Sequence, residues 1–217
     1  MKVALITGKG KAFSAGGDMD MIEDIMFDEE TWTRNHEEAR NIVWNMVECP
    51  KPIVSAINGV AVGAGLALAL MADISIASTK ARFNDGHIRL GVAAGDHAVS
   101  IWPLLCGMQK AKYYLLTGKF VGAEEAERIG LLSAVVEPEQ LLDEAFDVAN
   151  NLAEGPQHAI RYTKRALNAW MKQNSAAMDM SAALEFINFK HADAREGLRS
   201  LREKDEPAFP SAQPAKK

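Results

Sequence analysis

IVSAINGVAVGAGLALALMADISIA, residues 53–77, has the length and apolarity of a membrane-spanning helix. Its punctuation says otherwise. Asn58-Gly59 is a turn pair, Gly63 and Gly65 bracket a single small residue, and Asp73 places a carboxylate in the run. These breaks divide the stretch into a strand, IVSAI, a turn, a short helix, GAGLALALMA, and a second strand, ISIAS. The helix is apolar all round, so it belongs inside the protein rather than on its surface. Strand, glycine turn, helix and strand in succession argue an α/β protein with a largely covered sheet.

The surrounding sequence extends this pattern. KVALITGKG, residues 2–10, is a β-branched run ending in glycine, hence a buried strand and a turn. AFSAGGD, residues 12–18, is a short strand or loop. Residues 31–48 have helical period, with Trp32, Ala39, Ile42, Val43, Met46 and Val47 facing inward and Glu37, Glu38, Arg40 and Asn45 outward. Pro50 and Pro52 end that helix. Beyond about residue 95 helical patterns predominate, over 97–107, 109–117, 123–129, 138–153 and, with breaks, 156–204. One strand, SAVVE, interrupts them. Three segments result: an α/β core over 1–150, a helical region over 151–206, and a tail, PAFPSAQPAKK, over 207–217 whose three prolines and lack of period predict a loose end.

Composition excludes some functions. The net charge of −5 and the absence of a basic stripe argue against nucleic acid as a partner. Cys49 and Cys106 form neither a disulfide framework nor a metal-ligand spacing, and no metal is expected. No signal-peptide pattern opens the chain, and a soluble, cytoplasmic protein with no membrane segment is the expectation.

Chemistry is carried by two glycine loops. The amides of Gly63, Ala64 and Gly65 fall in the first turn of the buried helix, where backbone N–H groups lack intrahelical partners and the helix dipole is positive. Gly16 and Gly17 allow a ligand to approach the backbone closely. Two such N–H groups aimed at one point form an oxyanion hole, which holds an enolate or tetrahedral oxygen. The alternative is that these glycines serve turns alone.

AFSAGGD, then KPIVSAINGVAVGAGLALALMADISIAS, ARF, LTGKFVGAEEAERIGLLSAVV and AIRYTKRALN together resemble the crotonase (enoyl-CoA hydratase/isomerase) superfamily, in order and over nearly the whole chain. The resemblance implies a spiral of β-β-α turns with a C-terminal helical region, assembled as a homotrimer or as a hexamer of two trimers. It implies an acyl-CoA thioester substrate, with coenzyme A arriving as part of that substrate and no separate cofactor. The thioester oxygen would sit between the amides of Gly17 and Ala64. Ala15, Gly16, Gly17, Asp18, Met19 and Asp20, with Gly63, Ala64 and Gly65, would line the substrate and CoA side. The hydratases of the family carry two glutamates, and this chain has Ala67 and His87 in their places. Ala67 cannot transfer a proton, so standard two-carboxylate hydration is not expected.

His87 and Asp96 are the candidate catalytic pair. FNDGHIRLGVAAGDHAVSIWP, residues 83–103, resembles the β-diketone hydrolases of the superfamily (the oxocamphor hydrolase type), which cleave a carbon–carbon bond with water. Histidine titrates near neutrality, and an aspartate fixes its tautomer or acts as base. Plainer roles stay open: Asp96 as a helix N-cap, His87 as a loop histidine, and the whole chain as a non-catalytic scaffold. His97 is a substitute for His87 and Asp85 a lesser acid/base candidate. Asp18 more readily shapes its loop than performs chemistry. His36, His158 and His191, the acidic run at 27–30, and Arg161, Lys164 and Arg165 read as solvated helix faces. Family members carry roughly one further strand–strand–helix unit, about forty residues, before VALITG. Without it, residues 3–7 would form an exposed sheet edge.

Overall fold

In the computed structural model, which describes residues 1–214, the chain delivers strands alternately to two sheets. β1 (Ala4–Thr7) and β2 (Ala12–Ser14) precede α1 (Met19–Phe27) and α2 (Glu29–Glu48). β3 (Ile53–Ile57) and β4 (Val60–Val62) lead into α3 (Ala64–Leu70). β5 (Ile74–Ser78) and β6 (Arg82–Asn84) lead into α4 (His87–Leu90) and α5 (Ala98–Thr117). β7 (Val121–Gly122), α6 (Ala123–Arg128) and β8 (Ala134–Val136) complete the sheets. α7 (Leu141–Glu154), α8 (Gln157–Gln173), α9 (Ser175–Asn188) and α10 (Ala192–Glu203) follow, and a 3-10 turn spans Pro210–Ala212.

One sheet has the order β1-β3-β5-β8 and is parallel throughout. The other has the order β2-β4-β6-β7, with only β7 antiparallel. This is the expected spiral of β-β-α turns, with β1 and β2 at the two sheet edges. All five residues of β3 are buried, as a central strand covered on both faces requires. Asn58 ties successive turns together. Its Oδ1 accepts from the Gly8 amide at 3.1 Å, and its Nδ2 donates to the carbonyls of Gly10 and Ala12. Glycine is obligatory at position 65, because a Cβ there would overlap the Ser14 side chain and α3 could not lie against β2. Gly65→Ala is expected to cost about 1–3 kcal/mol of stability by this overpacking, measured as a lower urea midpoint.

Several elements differ from the sequence reading. The helix α1 was not anticipated; Asp18 caps it, with Oδ1 accepting from the amides of Asp20 and Met21. The acidic run does start a helix: Asp28 accepts from Thr31 N and caps α2. The break in α5 falls at Gly107, whose φ of 76° lets two helical segments join at a kink. Residues 207–213 are held rather than loose. Ala208 N donates to Glu196 Oε1 at 2.7 Å, and both Ser211 N and Ser211 Oγ donate to Asp193. Tail residues 215–217 lie outside the described residues. No helix among the described residues is long and apolar enough to cross a membrane.

Lys164 is the largest departure on the helical region. It is 7% exposed, and its Nζ donates to Asp73 Oδ2 at 2.7 Å and to the Lys51 carbonyl at 2.9 Å. Asp73 Oδ2 also accepts from Ile53 N, so one carboxylate clamps α8 to the entrance of β3. The helix buries this lysine because its partner comes from residue 73, which periodicity along α8 cannot reveal. Lys164→Met is expected to cost on the order of 2 kcal/mol, less than a fully buried pair because the Asp73 side chain is 21% exposed. Adding Asp73→Asn should restore part of that loss in a double-mutant cycle.

Candidate active site

β2, β4 and β6 run parallel and side by side, so the residues following each strand emerge at the same edge of the sheet. A cavity of about 390 Å³ opens there, within the range of small-molecule sites. Ala15, Gly16 and Gly17 line it after β2, Gly63 and Ala64 after β4, and Asp85, Gly86 and His87 after β6. Met19 and Asp96 also line it. Asp18, Asp20 and Gly65 do not. Asp18 caps α1, Asp20 pairs with Arg202, and Gly65 packs on Ser14.

The two glycine loops touch. A Cβ on Gly63 would lie 3.9 Å from Gly16 Cα, and both glycines have positive φ, at 53° and 103°. Among the described residues neither Gly17 N nor Ala64 N donates a hydrogen bond. Ala64 is the first residue of α3, so its amide has no intrahelical partner.

Opposite these amides stands a buried charge cluster. Gly86 and Gly91, both left-handed, bracket α4, and His87 begins it. His87 Nδ1 lies 2.9 Å from Asp85 Oδ2, and His87 Nε2 lies 3.3 Å from Glu185 Oε1. Burial opposes a charge on His87, but Asp85, Glu185 and Asp96 outweigh it and hold the ring well above the ordinary imidazole value. An imidazolium donating from both nitrogens is the form that two flanking carboxylates favour. Burial pushes the Glu185 carboxyl up, with His87 opposing. Among the described residues, Asp85 Oδ1 and Glu185 Oε2 have no hydrogen-bond partner. Ligating atoms of Asp85, His87 and Asp96 lie within 4.8 Å of one another, close enough for a cation. The imidazolium supplies the positive charge at that place.

Asp96 is not the expected N-cap. His97 occupies the cap position of α5 and makes no side-chain capping bond. Asp96 Oδ1 instead accepts from His97 N at 2.5 Å and from His97 Nδ1 at 2.6 Å. Trp102 Nε1, which can only donate, lies 3.4 Å from His97 Nε2 on the far side of the ring from Asp96. Burial opposes ionisation of Asp96, but His97 and His87 outweigh it and hold its carboxyl well below the usual carboxylate range.

The profile of the enoyl-CoA hydratase/isomerase family matches residues 1–212. The chain belongs to that family. It is 33% identical over 212 residues to the crotonyl-CoA hydratase of Syntrophomonas wolfei, covering 96% of this chain and 80% of the relative. An enoyl-CoA hydratase/isomerase from Mycobacterium paratuberculosis superposes with a TM-score of 0.87 at 34% identity, covering 92% of this chain and 80% of that one. A β-diketone hydrolase from the cyanobacterium Anabaena, bound to (S)-3-oxocyclohexyl acetic acid, superposes with a TM-score of 0.80 at 28% identity, covering 87% and 76%.

Within this enoyl-CoA hydratase/isomerase fold, Ala67 lines the cavity and offers only a methyl group. Asp85, His87, Asp96 and Glu185 are titratable groups that line the same cavity. His87 is buried at the head of a helix, not on a loop. His97 is fully buried behind Asp96 rather than facing the cavity. His36, expected to be solvated, is half-buried against Trp32 and Phe186, whereas His158 and His191 are exposed. Sequence reasoning missed Glu185, which comes from α9, about a hundred residues from His87. A signal existed: Met178, Ala182, Glu185, Phe186 and Phe189 form the buried face of one helix, and a carboxylate on such a stripe needs a partner.

Proposed function

We propose that this chain is an acyl-CoA enzyme that stabilises an enolate. The Gly17 and Ala64 amides receive the thioester oxygen, and the His87 cluster moves protons at the adjacent carbons. The observation that carries this reading is a buried histidine held between two carboxyl groups, lining one cavity with two amides that donate to no group among the described residues. As charge develops on the oxygen, two N–H donors in a water-poor site stabilise it. In an isomerisation, a carboxylate of the cluster takes the α proton as the C–H electron pair passes into the enolate, and His87 gives a proton to carbon as the enolate collapses, the two transfers leaving the cluster with its original number of protons. Family membership and the hydratase names of the relatives support the substrate class. Assembly as a trimer or a pair of trimers is part of the proposal, checked by light scattering of the purified protein.

The experiment is a panel of acyl-CoA and enoyl-CoA esters, including crotonyl-CoA, scored for binding by calorimetry and for turnover. Binding with turnover of at least one ester is expected. Folded protein that binds no CoA ester would end this reading.

A second reading is favoured by Ala67, by His87 and Asp96 lining one cavity although His87 is bonded to Asp85 and Glu185 and Asp96 to His97, and by the similarity to the Anabaena β-diketone hydrolase. In it, the oxygen of water bonds to one carbonyl carbon of a cyclic β-diketone. The carbon–carbon bond between that carbonyl and the central carbon breaks, and its electron pair passes into the enolate of the second carbonyl, held by the two amides. Protonation of that carbon yields a keto acid, with one water consumed. Cyclic β-diketones without CoA form the second arm of the panel, and ring opening seen by mass spectrometry as a gain of one water decides between the readings.

A further inference from the structure

We infer that His97 is a positioning residue: it holds Asp96 by one carboxylate oxygen and leaves the other, Oδ2, as the base that takes the α proton of the substrate. The inference rests on the enolate reading proposed above and assigns the base which that reading requires.

Three carboxyl groups line the cavity, and their oxygens differ in what they are free to do. Asp85 Oδ2 and Glu185 Oε1 stand against the two nitrogens of His87, at 2.9 and 3.3 Å. Their second oxygens, Asp85 Oδ1 and Glu185 Oε2, are sealed from solvent. Asp96 is placed differently. Among the described residues it is bonded to His97 alone, and both contacts fall on Oδ1, with the His97 amide at 2.5 Å and His97 Nδ1 at 2.6 Å. Asp96 Oδ2 has no partner among the described residues, yet solvent reaches it although the side chain is only 10% exposed. It is the one carboxylate oxygen of the cluster that is both unbonded and accessible.

The packing fixes where that oxygen stands. The backbone before Asp96 is anchored to α9, with Ala93 N donating to Asn188 Oδ1 and Ser181 Oγ donating to the Gly95 carbonyl, both at 2.9 Å. A Cβ on Gly95 would overlap Glu185, so the loop lies directly against that helix. On the other side the His97 ring is fully buried, and a close-packed ring cannot turn away from Asp96. A buried imidazole costs stability unless its nitrogens are partnered, and His97 makes no capping bond to α5. Its contact with the cavity is through Asp96. A reacting group whose rotamer is locked by a buried neighbour keeps its productive geometry. The base must also be ionised. Asp96 faces His97 beside it, His87 on α4, Asp85 after β6 and Glu185 on α9. Burial opposes its ionisation, and His97 and His87 outweigh that opposition.

In the step assigned to it, Asp96 Oδ2 takes the α proton while the C–H electron pair passes into the enolate held by the Gly17 and Ala64 amides. In deuterium oxide the proton on Asp96 exchanges with solvent, and a deuteron returns to carbon as the enolate collapses. The half-reaction is therefore visible without a completed turnover.

The test incubates butyryl-CoA and decanoyl-CoA in deuterium oxide with wild type, His97→Leu, His97→Asn and Asp96→Asn. Deuterium gain is read by mass spectrometry, ester affinity by calorimetry and folding by urea midpoint. Wild type should exchange the α protons of at least one ester. His97→Leu should be slower by about 10²-fold at unchanged affinity, the cost of a small misplacement of a reacting group. His97→Asn, which keeps an N–H near the position of Nδ1, should recover most of that loss, and Asp96→Asn should lose exchange. In the free protein, proton NMR should show a downfield imidazole resonance that disappears in His97→Asn and shifts in Asp96→Asn, a readout that stands even where His97→Leu does not fold. The inference would be overturned by wild-type exchange in folded His97→Leu, by exchange that survives Asp96→Asn, by equal losses of rate and affinity, or by the lack of any resonance tied to His97. Binding of both esters without exchange by wild type would overturn it as well. Failure of both esters to bind would remove the CoA reading and the inference with it, and calorimetry distinguishes that case from the others.

Discussion

Replacing His87 with alanine or glutamine is expected to lower turnover of any accepted substrate by about 10²- to 10⁴-fold, the usual contribution of positioned acid–base catalysis. Glutamine is the more informative variant. It keeps a hydrogen-bond donor for Asp85 or Glu185 but cannot transfer a proton at neutral pH. Alanine leaves those carboxylates buried without their cation, so it should also unfold more easily. Steady-state kinetics with urea unfolding on the same samples separate the two losses.

The pH dependence of stability follows from the same cluster. The folded-state value of His87 is raised, so the folded protein holds a proton that the unfolded chain releases above about pH 6.5. Its contribution is fully present below that pH and is lost as pH rises through the raised value. Glu185, raised by burial, acts in the same direction at lower pH. Asp96 is depressed, so its contribution is present above about pH 3.9 and is lost as pH falls through its folded value. The urea midpoint should therefore decline on the alkaline side in wild type and decline less in His87→Gln. An identical alkaline decline in both proteins would show that His87 is not held charged.

Ala64→Pro is expected to lower kcat by about 10²- to 10³-fold, the cost of losing one oxyanion-hole donor, with little change in fold. Proline removes the N–H at the first position of α3, where the helix makes no use of it. Gly63, at ψ −130°, lies outside the α region that a following proline forbids. Ala64→Gly keeps the N–H and should retain activity. Equal turnover by the proline and glycine variants would rule out the amide as a catalytic donor.

Much of the architecture was legible along the chain because local rules govern it. The glycine and asparagine punctuation of residues 53–77 separated strands from helix, and the small residues at 16–17 and 63–65 marked two loops that meet at one cavity. The interior apolar face of α2 was legible as periodicity. The carboxylate on α9 was not interpretable, because Glu185 acquires meaning only from its contact with His87. The same holds for Lys164, whose burial depends on Asp73, and for Asp96, which serves His97 rather than a helix end.

Turns and periodicity along the chain determined the α/β class, and the order of the motifs carried the resemblance that pointed to the spiral and the superfamily, since these are properties of neighbouring residues. Only the tertiary structure decided the composition of the acid–base cluster. Asp85 and His87 follow β6, Asp96 precedes α5 and Glu185 arrives from α9. Their shared proton chemistry arises from burial and mutual charge within a few ångströms, and those distances are set by packing among segments far apart in the chain.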